Sequence, residues 1–103
     1  MNEKLKQDDI NQLFQGILTL QSVEECYRFF EDICTVHELQ SMAQRLDVAK
    51  LLRDKVTYQD ICERTGASTA TISRVGRALN YGADGYGIVL DRIQKSEKNG
   101  PNE

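Results

Sequence analysis

The sequence lacks the features of a membrane-spanning or exported protein. No apolar run approaches the roughly 18 consecutive apolar residues that a membrane-spanning helix needs, although 40% of the residues are hydrophobic. Residues 1–6 are polar and contain no apolar signal-peptide core. We therefore expect a cytoplasmic protein without a membrane partner.

Catalytic and metal-binding groups are also scarce. There are three cysteines, none of them in a C-x-x-C pair, and His37 is the only histidine. One histidine with scattered cysteines does not make a zinc site, and neither a nucleophile–base pair nor a Walker or Rossmann phosphate loop is present. We therefore predict no enzymatic activity, no metal and no cofactor. Reduced thiols buried in the core are the expected state of the cysteines, which are Cys26, Cys34 and Cys62.

The length favours one small domain, and the charge is unevenly distributed along the chain. The 103 residues suit a single domain, which we place at residues 1–96, with a disordered tail at 97–103. The net charge of −3 argues mildly against nucleic acid, but residues 1–42 have a charge balance of −5 and residues 43–81 a balance of +3. No acidic residue lies between Arg64 and Ala83. The basic segment is therefore the candidate for contact with a polyanion.

Apolar residues recur at helical spacing along the chain, and alternating β-type runs are absent. We predict an all-α fold with six helices, at about 9–20, 23–33, 36–53, 58–64, 69–80 and 85–96. Either Asp8 or Asp9 is expected to cap the first helix. Two capping boxes are expected, at Ser22 with Glu25 and at Thr35 with Glu38. A left-handed C-cap is expected at Gly82, and a flexible interhelical loop at Gly82, Gly85 and Gly87.

Residues 57–80 read TYQDICERTGASTATISRVGRALN and carry the main functional signal. Thr57 and Ser68 are suited to cap two successive helices, and Gly66 lies where a tight turn needs a positive φ angle. Three aliphatic side chains recur at three- and four-residue steps and would hold the second helix on the first; they are Ile72, Val75 and Leu79. This pattern is typical of a helix-turn-helix.

The other face of the second helix is small, polar or basic. Small side chains at its N-terminus would let the helix enter a DNA major groove, and hydroxyls, backbone amides and arginines can bind phosphates or base edges. No carboxylate lies on this helix. The predicted DNA-binding residues are Thr57, Gln59, Ser68, Thr69, Ala70, Thr71, Ser73, Arg74 and Arg77.

Two other interpretations stay open at this point. The segment can be an ordinary helical hairpin whose polar face is only solvated and whose serine and threonine are only caps. It can also be a protein-interaction adaptor that uses the same surface without DNA, an idea favoured by the acidic N-terminal half and the pI of about 5.2.

The run 65–74, TGASTATISR, together with Leu51-Leu52-Arg53 and the long third helix after Thr35, resembles the Trp repressor family. The resemblance covers about residues 10–95. Within the family, the chain is similar to a Trp repressor-like branch found in Gram-positive bacteria. It implies a sequence-specific regulator, expected to be a repressor, and an intertwined all-helical homodimer bound to double-stranded DNA. Family members such as the Trp repressor bind palindromic half-sites about 34 Å apart, and we carry that spacing over from the family.

The resemblance also indicates where an effector would bind. The tryptophan-sensing members hold the indole between two arginines, of which one matches Arg74 and the other falls at Gln44 or Arg45. Arg45 and Arg74 are therefore the candidate effector-pocket residues. A glycine next to the first arginine in the sensing members is Val75 here, and its branched side chain should crowd a flat ring. For that reason tryptophan is not expected to be a corepressor of this chain.

Overall fold

The computed structural model describes residues 7–98, and this part of the chain contains six α-helices and no β-strand. The helices are α1 (Asp8–Ile17), α2 (Val23–Ile33), α3 (Val36–Arg53), α4 (Tyr58–Thr65), α5 (Thr69–Tyr81) and α6 (Gly85–Lys98). The predicted six-helix fold is confirmed. Because α6 continues to Lys98, the first two residues of the predicted tail are helical. The rest of that tail and residues 1–6 lie outside the described residues.

None of the six helices is both long and apolar enough to cross a bilayer, within the part of the chain that the structure describes. The described residues fall into two units, one ending at Leu39 and the other beginning at Gln40, and α3 crosses the boundary between them.

The N-terminal unit consists of α1, α2 and the first turn of α3, and neither α1 nor α2 contains a buried residue. Several of its large apolar side chains are instead exposed, among them Phe14, Leu18, Val23, Tyr27 and Ile33. The prediction that every cysteine is buried is wrong, because Cys26 is exposed on α2, and Cys34 and Cys62 are only half-buried. All three are free thiols.

The helix starts of this unit follow local sequence rules, with two corrections. Helix α1 begins at Asp8 with Gln7 as its N-cap residue, so Asp8 and Asp9 lie in the first turn and are not caps. At α2 the Ser22 Oγ accepts from the Glu25 N–H at 3.1 Å as predicted, but the Glu25 carboxylate accepts from the N–H of Gln21 at 2.8 Å. In this capping box the glutamate therefore accepts from the residue before the N-cap, and not from the N-cap N–H itself.

The capping box at the start of α3 is complete. The Glu38 N–H donates to Thr35 Oγ1 at 3.0 Å, and the Thr35 N–H donates to Glu38 Oε1 at 2.8 Å. The Thr35 N–H, and then the Thr35 hydroxyl, lower the pKa of the Glu38 carboxyl, because hydrogen bonds to a carboxylate stabilise its charged form.

The core of the C-terminal unit is formed by α3, α4, α5, α6 and the residue Ala67 between α4 and α5. Its buried apolar residues are Val48, Ala49, Ile61, Ala67, Ile72, Val75 and Leu90. Burial of a Val, Leu or Ile side chain contributes about 1.5–3 kcal/mol each, so these contacts hold α4 and α5 on α3. The residues on the opposite side of α5 are left at the surface.

Helix α3 ends at Arg53, where the sequence predicts a break. The Val56 N–H donates to the Leu51 carbonyl at 3.1 Å, and the Lys55 N–H donates to the Leu52 carbonyl at 3.0 Å. This is the Schellman pattern, which needs a left-handed residue, and Lys55 takes that conformation with φ of 65°. A lysine thus occupies a position that favours glycine.

The connection between α5 and α6 differs from its prediction. Gly82 follows α5 as expected, but its φ of −88° is not left-handed. A Cβ at Gly82 would instead collide with the carbonyl oxygen of Ala78, so glycine is needed for space. The left-handed residue is Asp84, with φ of 67°. Gly85 and Gly87 belong to α6 and not to a loop.

Candidate nucleic-acid interface

Helices α4 and α5 are joined by three residues, and each boundary is fixed by a local hydrogen bond. Thr57 Oγ1 accepts from the Asp60 N–H at 3.2 Å and caps α4. Gly66 ends α4 with φ of 75°, and its N–H donates to the Cys62 carbonyl at 2.9 Å. Ser68 Oγ then accepts from the Thr71 N–H at 3.1 Å and caps α5. The predicted caps and the predicted left-handed glycine are confirmed.

Thr65 organises the turn through its side chain and its backbone. Its Oγ1 donates to the Ile61 carbonyl at 2.7 Å and accepts from the Ala67 N–H at 3.1 Å. Its carbonyl accepts from Gln44 Nε2 on α3 at 3.1 Å. The methyl group of Ala67 is buried in the core, with 4% of the residue exposed. The turn is therefore anchored both by hydrogen bonds and by apolar contact.

Helix α5 has one buried side and one open side. Ile72 and Val75 are fully buried. On the other side of the helix Ala70, Arg74 and Arg77 are exposed, and they are separated by one turn of helix each. Helix α5 thus presents a small side chain near its N-terminus and two guanidinium groups further along the same face.

The other predicted DNA-binding residues lie around this face. Thr57 and Gln59 are exposed at the start of α4, and Ser68 and Thr69 are exposed at the start of α5. Thr71 and Ser73 are half-buried.

Not every hydroxyl at the start of α5 is free to bind a ligand. Ser68 Oγ is both the acceptor of the helix cap and the donor to Thr71 Oγ1 at 3.1 Å, and the Thr57 hydroxyl caps α4. Thr71 Oγ1 acts only as an acceptor in this arrangement, so its own proton can still be donated outward. We therefore assign Ser68 and Thr57 mainly a helix-capping role.

The exposed face of α5 carries positive charge. Neither Arg74 nor Arg77 forms an ion pair with any residue between 7 and 98. In the same range of residues, Arg53 does have a carboxylate partner, Asp91, at 2.9 Å. No group of acidic, cysteine or histidine residues suited to a metal ion occurs in the described range. The exposed arginines of α5 are therefore available to an anion.

The two arginines predicted to hold an effector are placed differently. Arg45 is half-buried on α3, and Arg74 is exposed on α5. A groove of about 530 Å³ is formed by residues of α3, α5, α6 and the connection between α5 and α6, and neither arginine lines it. Its lining is almost entirely apolar and consists of Leu46, Ala78, Ala83, Gly85, Tyr86 and Val89. Val75, the residue predicted to crowd a ring, is buried in the core.

Two residues of this region are not among the predicted DNA-binding residues. Gln44 binds the turn between α4 and α5, and Tyr81 is 88% exposed at the end of α5. Position 44 is four residues before the buried Val48, so a polar side chain on the inner face of α3 was the available signal. Tyr81 is four residues after Arg77 and continues the exposed row of α5.

Known proteins resemble this chain over nearly its whole length. The sequence model described as Trp repressor protein matches residues 8–94. The uncharacterised protein YerC of Bacillus subtilis is 57% identical over 95 residues, which cover 92% of this chain and 91% of that protein.

Two crystal structures share the fold. A TrpR-like protein from Eubacterium eligens is 58% identical, with a TM-score of 0.88 over 90% of this chain and 96% of the other. A protein from Staphylococcus aureus, provisionally assigned as a Trp repressor, is 53% identical, with a TM-score of 0.86 over 89% of this chain and 92% of the other. The matched family consists of regulators, so the prediction that the chain is not an enzyme is confirmed at the level of the family.

Proposed function

The chain belongs to the Trp repressor family, and from this premise we propose that it is a sequence-specific DNA-binding transcriptional regulator of the cytoplasm. Family membership supports a DNA-binding regulator in general. The finer proposal is that α4 and α5 act as a helix-turn-helix, that α5 enters the major groove, and that the bound protein represses by covering a promoter. We propose no cofactor, and no role for tryptophan.

The observation that carries this proposal is the exposed face of α5. A recognition helix needs a slim N-terminus that can approach base edges and cationic groups that reach bases or phosphates. Ala70 meets the first need, and Arg74 and Arg77 meet the second because they are exposed and have no carboxylate partner among residues 7–98. The hydrogen-bonded turn before α5 holds this face in one orientation.

The N-terminal unit supports the proposal that the protein acts as a homodimer. A small chain gains stability when a partner covers apolar surface, and α1 and α2 offer such surface because none of their residues is buried. We propose that a second copy covers it in an intertwined dimer. Two-fold symmetry would then place two α5 helices on the two halves of a palindromic operator.

The salt dependence of binding tests this proposal. We expect fluorescence anisotropy with a labelled duplex to show affinity that falls steeply as salt rises, because each neutralised phosphate releases a counterion. Arg74→Ala should weaken specific binding by about 1–3 kcal/mol if its guanidinium contacts a base. Arg92→Ala is the matched control, since it removes the same charge from an exposed position on α6, and it should change affinity little.

The adaptor interpretation gives different results in the same assay. Its supporting observation is the charge balance of −5 in residues 1–42, which does not favour contact with a polyanion. If the adaptor interpretation is right, the folded dimer binds no duplex at physiological salt, and Arg74→Ala affects the capture of a protein partner instead.

A further inference from the structure

We propose that Gln44 is a positioning residue for the recognition helix, and that its side-chain amide fixes the turn before α5 on α3. This inference deepens the proposed function and rests on it for its effect on DNA. The hydrogen bond itself is a property of the chain without DNA, and it can be tested separately.

The bond closes a network centred on one residue. Thr65 is the last residue of α4, where helical carbonyls have no partner inside the helix. The Thr65 carbonyl accepts from Gln44 Nε2 at 3.1 Å, while the Thr65 hydroxyl joins Ile61 and Ala67. Gln44 therefore does not bind a peripheral group. It binds the residue that already defines the shape of the turn.

This hydrogen bond differs from the others in the structure by its reach. It is partly buried and joins residues 21 positions apart in the sequence. Every other side-chain hydrogen bond of residues 8–98 links residues four or fewer positions apart, the ion pair between half-buried Arg53 and exposed Asp91 excepted. Local bonds shape each helix end but do not set one helix relative to another.

The remaining attachment of α5 to the rest of this unit is apolar. Ile72 and Val75 are held by core contacts, and such contacts are not directional. They keep α5 on α3 but tolerate small sliding and rotation. A hydrogen bond has narrow limits of distance and angle, and this one lies only four residues before Thr69, where α5 begins. Loss of the bond should therefore shift the N-terminus of α5 while the core stays formed.

The consequence for DNA binding is selective. Contacts to base edges depend on the placement of α5 to within a fraction of an ångström, whereas attraction to phosphates tolerates displacement. A loosened turn should thus reduce affinity for the operator and leave affinity for random duplex almost unchanged. A residue that only stabilises the fold would lower both through the fraction of folded protein.

Three substitutions at position 44 separate the hydrogen bond from side-chain size. Gln44→Met keeps the length without a donor, Gln44→Glu offers only acceptors at neutral pH, and Gln44→Lys restores a donor. We expect the first two to lower operator affinity about tenfold relative to random duplex, and Gln44→Lys to recover most of that loss. Gln40→Glu and Gln40→Lys are matched controls, because they make the same charge changes at an exposed position one turn earlier on α3.

The same variants are examined without DNA by nuclear magnetic resonance. We expect slow hydrogen exchange for the Gln44 side-chain amide of the wild type, and faster exchange of the Gly66 and Ala67 amides in Gln44→Met. Thermal melts at fixed protein concentration confirm that each variant is folded at the assay temperature.

Two results would overturn the inference. One is a Gln44 amide that exchanges as fast as a free glutamine side chain. The other is an operator-to-random affinity ratio in Gln44→Met and Gln44→Glu that equals that of the wild type or of the Gln40 controls. If the wild type itself binds no duplex, the proposed function fails, and the exchange measurement still decides whether Gln44 holds the turn.

Discussion

Replacement of Gly66 by alanine should destabilise the protein through backbone conformation alone. Gly66 has φ of 75°, and a Cβ at this position would meet no atom within 4 Å. A left-handed conformation costs an L-residue roughly 1–2 kcal/mol. Alanine also restricts the unfolded chain more than glycine does, which offsets this cost by about 0.4–1 kcal/mol. We therefore expect Gly66→Ala to lower the free energy of unfolding by about 1 kcal/mol.

Two further variants test whether the left-handed backbone conformation causes this loss. Lys55 has φ of 65° without being a glycine, so Lys55→Gly should stabilise the protein by an amount of similar size. Gly66→Asn should cost less than Gly66→Ala, because asparagine tolerates the left-handed region. Thermal unfolding followed by circular dichroism at one protein concentration measures all three, and about 1 kcal/mol corresponds to a shift of roughly 4–8 °C in Tm.

The reasoning would be refuted if Gly66→Ala melted at the wild-type temperature, since the positive φ would then carry no cost. A loss well above ~3 kcal/mol would also contradict it, because an effect of that size needs a steric clash or a lost core contact. An unchanged or lower Tm for Lys55→Gly would show that the lysine side chain stabilises the end of α3 in some other way.

The remaining predictions concern a carboxyl group, a close backbone contact and the DNA surface. A nuclear magnetic resonance titration should give Glu38 a pKa below its ordinary value, because the Thr35 N–H and then the Thr35 hydroxyl stabilise its carboxylate. Thr35→Ala removes only the hydroxyl, so the pKa of Glu38 should return part of the way toward its ordinary value. Because the folded-state pKa is lowered, the cap stabilises the protein above the unfolded-state pKa, and this stabilisation is lost as pH falls through the folded-state pKa. Gly82→Ala should destabilise by about 1–3 kcal/mol in a urea melt, since its Cβ collides with the Ala78 carbonyl, and wild-type stability would argue that this backbone moves aside easily. Thr71→Glu should weaken duplex binding more than Arg74→Ala in the anisotropy assay, because it places a carboxylate against phosphate, and an equal or smaller effect would remove Thr71 from the interface.

The sequence predicts the helix boundaries well where a single short-range interaction decides them. The caps at Thr35, Thr57 and Ser68 depend on a side chain and a backbone amide three residues later, so spacing alone identifies them. Gly66 is predictable for the same reason, since a tight turn after a helix needs a residue that tolerates positive φ.

Features that depend on how backbone and helices are placed in three dimensions, and not on a spacing rule, were not predictable in this way. The bond from Gln44 to Thr65 requires α3 and the turn to be placed together in space. Gly82 needs its missing Cβ because of the Ala78 carbonyl and not because of its own φ. The exposure of Cys26 depends on what covers α2, and a periodic pattern shows only that a face is apolar. It does not show whether the same chain or a second copy covers that face.

The proposed function requires that this chain reads a DNA sequence as a symmetric dimer. The most direct test is selection of fragments from genomic DNA by the purified protein at near-physiological salt, with sequencing of the bound fraction and Arg74→Ala as a parallel sample. We expect an enriched palindrome whose half-sites lie about one helical turn apart, with enrichment reduced for Arg74→Ala. A folded, dimeric protein that enriches no sequence, before and after addition of small-molecule extract, would contradict it.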